Sequence, residues 1–228
     1  MTRLTHTPHL HHLKHLALIQ ADLTEPDIAR MTSRAPSFAL QSFNLNDNAI
    51  KPRAVQHLLR WPALQQLEQL YLHHTNINWS DVTTLLTHIP SLSHLQVSAN
   101  GLVARTTLPT CLAMEDLNLG LNPLGDDGLL HVLSCPQPSL KALAIGHCQL
   151  THESLDHLQN FASNLPNLHT LDIQGNDIHA EDILDLLDTQ PFAQLRELTI
   201  GHWSCEEEAD RLEAAGFQLN VHTDTWST

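Results

Sequence analysis

Apolar and polar residues follow one pattern, LxxLxLxx(N/C/T)xL, that returns eight times along the chain. The copies begin at Leu13, Leu40, Leu67, Leu92, Met114, Leu140, Leu168 and Leu195, in steps of 27, 27, 25, 22, 26, 28 and 27 residues. Within a copy the fourth and sixth positions are apolar, and the third, fifth and seventh are mostly polar or small. A period of two predicts a strand with one buried face. Between copies the apolar spacing changes to i, i+3, i+4 and i+7 in DIARMTSR, PRAVQHLLRW, WSDVTTLLTHI, GLLHVLSC, ESLDHLQNFASNL and AEDILDLLDTQ. These segments predict amphipathic helices covering one side of a sheet. Thr24 before Glu25 and Pro26, Ser80 before Asp81, and Thr151 before His152 and Glu153 supply helix starts. Strands joined through helices pair in parallel, because parallel neighbours need such crossovers.

The ninth position holds Ala21, Asn48, Thr75, Asn100, Asn122, Cys148, Asn176 and Trp203. An asparagine amide carries two donors and an acceptor, so stacked copies can satisfy backbone groups where each coil leaves its strand; Cys or Thr can partly substitute. The divergent residues stand in the first and last copies, as expected of capping repeats. In the fourth copy VARTTLPTC replaces the helix between Leu102 and Met114, which predicts an extended or 3₁₀ connection and a local change of curvature. After Trp203, CEEEADRLEAAG reads as a last helix ending at Gly216, and FQLNV as a ninth, edge strand.

The repeat resembles that of leucine-rich repeat proteins, and its 26–28 residue steps with LNPLGDDGLLHVL after Met114 resemble the ribonuclease-inhibitor-like subclass. The resemblance implies an α/β solenoid, or horseshoe, of about eight repeats, with a parallel sheet on the concave face and helices on the convex face. One domain would span 1–228: an N-terminal cap over 1–12, repeats over 13–203, and a capping helix and edge strand over 204–228. Eight strands at about 4.8 Å make a sheet about 35 Å long.

Composition narrows the choice of partner. Residues 1–114 hold eight Lys or Arg against six Asp or Glu, whereas residues 115–228 hold three against nineteen. That second half would repel nucleic acid and anionic membranes, and it favours a basic protein partner. No run of 18 apolar residues occurs, and MTRLTHTPHLHHLKHL lacks the apolar stretch of a secretory signal, so the expectation is a cytoplasmic monomer. Cys111, Cys135, Cys148 and Cys205 form no CxxC pair and read as reduced core residues.

The exposed strand positions are the expected binding surface. Candidate contact residues there are Asn44, Asn46, Gln69, Tyr71, His73, His94, Gln96, Asp116, Asn118, Thr170, Asp172, Gln174 and Glu197. Tyr71, with His73 and His94 to either side, is the expected hot spot. Gly120, Gly146 and Gly201 at the seventh position either admit a partner's backbone or relieve curvature.

Other chemistry has less support. His9, His11, His12 and His15 are metal-ligand types, but Leu10, Leu13 and Leu16 among them carry cap packing, and no Cys or carboxylate completes a site, so no metal or other cofactor is expected. No GxSxG, HExxH, GxxxxGK(S/T) or GxGxxG motif occurs, which favours a non-enzymatic adaptor, inhibitor or effector. Two roles follow from the resemblance alone: a bacterial effector acting in host cytoplasm, since such arrays occur there, and a GTPase activator, since the Ran-type activators share this repeat. For the second, Arg53 and Arg60 are the nearest candidates for a catalytic arginine. A structural subunit docking through strand edges, at Phe217–Val221 or the first repeat, is the remaining alternative.

Overall fold

The computed structural model describes residues 12–34, 39–201, 210, 218–220 and 225–227. All eight expected strands form, each at positions three to five of its copy: β1 (His15–Ala17), β2 (Ser42–Asn44), β3 (Gln69–Tyr71), β4 (His94–Gln96), β5 (Asp116–Asn118), β6 (Ala142–Ala144), β7 (Thr170–Asp172) and β8 (Glu197–Thr199). Six helices follow the helical spacing: α1 (Glu25–Arg34), α2 (Lys51–Leu59), α3 (Trp79–His88), α4 (Gly125–Leu133), α5 (Glu153–Asn160) and α6 (Ala180–Asp188). The chain is an α/β leucine-rich repeat array. It packs as two compact units, Met1–Leu102 and Val103–Thr228. The division falls at the start of the segment that carries no helix in the fourth copy.

In the first unit β1 to β4 pair in parallel and in order, with Phe43, Leu70 and Leu95 in one register row. The fourth and sixth positions point into the core: Phe43, Leu45, Leu70, Leu72, Leu95 and Val97 are buried between the sheet and α1 to α3. Trp61, just beyond α2, meets Phe43 edge to face at 5.7 Å. In the second unit β5 to β8 pair the same way over Leu117, Leu143, Leu171 and Leu198, backed by α4 to α6.

The end of that second sheet differs from the expectation. A ninth strand exists as β9 (Gln218–Asn220), but it does not lie beside β8. A further strand, β10 (Thr225–Ser227), pairs antiparallel with both β8 and β9 and separates them. A hairpin needs no helical crossover, so it can close the sheet where a parallel coil cannot. The expected N-terminal cap, except His12, lies outside the described residues; so do Trp203, Cys205 and the expected last helix, except Asp210, which is helical.

The ninth-position asparagines hold successive coils together. The Asn48 Oδ1 accepts from the N–H groups of Ala21 and Leu23, both at 3.0 Å, while its Nδ2 donates to the carbonyls of Leu18 at 2.6 Å and Leu45 at 2.9 Å. Asn100 binds Thr75, Ile77 and Leu72 of the preceding coil in the same way, and Asn176 binds Cys148, Leu150 and Ile145. Where Cys148 stands instead, its thiol donates to the Leu119 carbonyl at 3.4 Å, and burial pushes that thiol up to about 11. Cys148 is therefore a core residue as expected, whereas Cys111 and Cys135 are only half-buried, because both lie in connections at the margin of the core.

The residue before each of these sites, at the eighth position, is left-handed in all seven described copies: Gln20, Asp47, His74, Ala99, Leu121, His147 and Gly175. This conformation turns the chain out of the sheet, and only one copy supplies the glycine that adopts it without strain. A Cβ on Gly175 would fall 2.2 Å from the His147 ring, which lies over it. The helix starts also sharpen. Asn78, two residues before the expected Ser80, caps α3 in a reciprocal box with Asp81, and burial raises the Asp81 carboxyl against the bond it receives from Asn78.

Replacing Asn48 by Ala should strand several buried backbone groups of the first two coils and cost about 2–4 kcal/mol in urea unfolding. An Asn48→Asp variant, which keeps the acceptor but loses the amide donors, should fall between the two.

Candidate functional site

On the first unit, the odd strand positions form rows across the open face of the sheet. Register places Ser42, Gln69 and His94 in one row and Asn44, Tyr71 and Gln96 in the next. The direct neighbour of Tyr71 on β4 is therefore Gln96, and His94 stands diagonally to it. Tyr71 is half-buried and its hydroxyl reaches the Gln69 Oε1 at 3.5 Å. His73 pairs through Nδ1 with the Ser98 hydroxyl at 2.8 Å, and His94 with that of Ser93 at 2.8 Å. His73 is thus tied to the following coil and His94 to its own chain neighbour.

Several face residues also serve the backbone. The Asn44 Oδ1 accepts from the Asn46 N–H at 2.9 Å, and the Asn46 Oδ1 from the His73 N–H at 2.8 Å. In the second unit the Asn118 Oδ1 accepts from the Gly120 N–H at 3.0 Å and the Asp172 Oδ1 from the Gln174 N–H at 3.1 Å. An Asn or Asp at position five thus closes a turn two residues on, an Asx arrangement that ends the strand. This dual use was readable from the recurrence of Asn or Asp at that position.

The second unit's face carries Asp116, Ala142, Thr170 and Glu197 in one row and Asn118, Ala144, Asp172 and Thr199 in the next. The side chains of β6 are small, and its neighbours lean over it. A Cβ on Gly146 would lie 3.1 and 3.3 Å from the two Asp172 oxygens and 3.1 Å from the Gln174 Cγ. The space that Gly146 leaves is therefore occupied by side chains of the next strand rather than open to a partner. A Cβ on Gly120 would lie 3.3 Å from both the Asn118 Oδ1 and the Gly146 carbonyl oxygen, and Gly201 is required by its φ of +86°. Burial raises the Asp172 carboxyl, with bonds from Gln174 opposing it. The Glu197 carboxylate is exposed and accepts from the Thr170 hydroxyl at 3.4 Å.

A second carboxylate in this unit is tuned oppositely. Asp126 in the first turn of α4 accepts from Thr151 N–H at 2.9 Å, from Thr151 Oγ1 at 2.8 Å and from the Ser154 hydroxyl, all in the following coil. Burial works against its ionisation, but these bonds together hold it below the ordinary carboxylate value.

The remaining candidates are placed as follows. Arg53 lies in the first turn of α2 and Arg60 caps its other end, both exposed. His12 and His15 are exposed, and His9 and His11 lie outside the described residues. Among the described residues no three His, Cys, Asp or Glu side chains stand close enough to hold a metal ion, and no helix is long and apolar enough to cross a membrane. One group escaped the sequence reading: the turns of the first three coils bring Asp22, Asp47, Lys51 and His74 around one cavity. Aligning the eighth and tenth positions of the copies would have set Asp22, Asp47, His74 and Asn76 in register.

Comparison with known proteins adds the following. Residues 111–131 and 164–187 match the family model described as Leucine Rich repeat, covering the fifth and seventh copies with parts of α4 and α6. The ribonuclease inhibitor of Sus scrofa is 33% identical over 106 residues, 43% of this chain and 23% of that protein. The ribonuclease inhibitor of Mus musculus is 32% identical over 103 residues, 42% of this chain and 23% of its own. The matched segment thus spans about a quarter of each curated relative. An internalin structure from Listeria monocytogenes is similar over 87% of this chain and 64% of its own, at 18% identity and a TM-score of 0.48.

The two tuned carboxylates should respond oppositely to pH. The raised Asp172 favours folding below the unfolded carboxylate range, and that contribution is lost as pH rises through its folded value; Asp172→Asn should raise the Tm at pH 7 and not at pH 3. The lowered Asp126 stabilises above that range and loses its contribution as pH falls through its folded value; Asp126→Asn should lower the Tm at pH 7, with the gap closing toward pH 2. Calorimetry across that range checks both signs.

Proposed function

Because this chain is a leucine-rich repeat protein with repeats of the ribonuclease-inhibitor-like kind, we propose that it binds a protein partner, non-covalently and without catalysis, through the open strand face of its repeats. The observation that carries this reading is the first unit's face: Gln69, Tyr71, His94 and Gln96 stand on parallel strands whose opposite face is committed to the core, with His73 in the turn just beyond β3. Rigid strands present these side chains at little ordering cost, and a half-buried tyrosine among amide and imidazole groups offers both contact area and hydrogen bonds.

The second unit contributes charge. Residues 115–228 hold nineteen acidic and three basic side chains, and Asp116 and Glu197 place part of that charge on the strand face. A basic partner would be steered by such a field and would arrive faster at low salt. The work of the chain is then that of an adaptor or inhibitor acting as a monomer. The relatives it resembles are each named as an inhibitor of a ribonuclease.

Affinity capture followed by mass spectrometry tests the reading, using the native chain and two variants with folds checked by circular dichroism. Tyr71→Ala with His94→Ala alters the first unit, and Asp116→Lys with Glu197→Lys the second. A protein retained by the native chain should be lost with the first variant, and with the second its association should slow most at low salt. Equal recovery by all three chains would move the binding surface off the strand face.

A further inference from the structure

At the turns of the first three coils lies a cavity of about 580 Å³, lined by no strand residue and within the size range of ligand pockets. Its walls divide by chemistry. Leu23, Pro26 and Ala49 give it an apolar lining, and Asp22, Glu25 and Asp47 supply three carboxylates against the single ammonium of Lys51. His74 joins through Nδ1, 3.2 Å from the Asp47 Oδ1. The Asp22 carboxylate has no cation within ion-pair distance among the described residues, and neither does Lys51 a carboxylate.

Asp22 and Glu25 come from the first coil and Asp47 from the second, and among the described residues no three such side chains gather closely enough to hold a metal ion. A guanidinium meets the arrangement better: its planar fork of N–H donors can engage two carboxylates together, while its aliphatic stem lies along Leu23, Pro26 and Ala49.

Lys51 adds an orientation. Three residues beyond Asn122, α4 begins with Gly125 at a φ of +64°, with open space where a Cβ would stand. Three residues beyond Asn48, at the equivalent place, stands Lys51 at +60°. The first unit thus places a side chain where the same turn elsewhere uses glycine. Its ammonium, also in the lining, repels a cation from its own part of the cavity and offers donors to backbone carbonyls.

We propose that this cavity receives an arginine side chain of the protein partner, with the guanidinium toward Asp22 and Asp47 and the adjoining backbone beside Lys51. The proposal rests on the protein-binding reading above but uses a different surface.

The test is a titration of the ¹⁵N-labelled chain with a capped Gly-Arg-Gly peptide, followed by amide shifts, beside the neutral isostere Gly-citrulline-Gly and free methylguanidinium. The arginine peptide should shift the amides of Asp22, Asp47 and Asn76 saturably and bind at least about tenfold more tightly than the citrulline peptide. Asp22→Asn and Asp47→Asn should each weaken it roughly threefold or more, and Lys51→Gln should tighten it. The Tyr71→Ala, His94→Ala chain should bind as the native one does, so loss of the strand-face reading would leave this result standing. Equal binding of the citrulline peptide, or indifference to both Asp variants, overturns the proposal. Methylguanidinium binding as tightly as the peptide would overturn the partner-borne source in favour of a small guanidine ligand.

Discussion

The structure depends on one recurring interaction, the side-chain amide that bridges one coil to the next. A repeat of this kind makes a sharp exit from every strand, and that exit leaves backbone N–H and C=O groups turned inward with no ladder partner. Burying them unpaired would cost more than the leucines around them could return. Asn48, Asn100 and Asn176 each bond backbone groups of their own turn and of the preceding coil, so the apolar interior can close over the exits. The rows of the open face follow from this, because coils paired in register present their third and fifth positions side by side within each unit.

What could be read from the residues, and what could not, divides along the same line. The strands and six helices were legible because burial writes its period directly into the sequence, at Phe43 and Leu45 as at Leu171 and Ile173. Local hydrogen-bond choices leave weaker traces. Asn78 outcompetes Ser80 as the cap of α3 because its side chain can trade bonds with Asp81, a choice that depends on a backbone angle rather than a pattern. The left-handed eighth position is almost invisible, since Gly175 alone marks it while Leu121 and Ala99 adopt it against their preference. The hairpin of β9 and β10 was half-legible: FQLNV alternates, but three residues, Thr225–Ser227, are too few to show a period.

The candidate face shows a division of labour that a list of exposed polar residues hides. Asn44, Asn118 and Asp172 are tied to their own backbone, so they present fixed acceptors, whereas Gln69 and Gln96 keep more freedom to adapt. Asp172 illustrates the tension between the two duties. Its position over Gly146 takes it partly out of water, which disfavours the charge that a basic partner would seek. The carboxylate of Glu197 is the more exposed of the two.

The amide bridges also point one way along the chain. Asn48 spends its oxygen on the coil before it, as Asn100 and Asn176 do, so in each pair the later coil satisfies the earlier. Peeling a coil from the front of such a stack leaves an asparagine facing water, which hydrates it readily. Peeling one from the back strips partners from backbone that stays enclosed. The two ends of the stack are unequal for this reason, and loosening from the front is the gentler path.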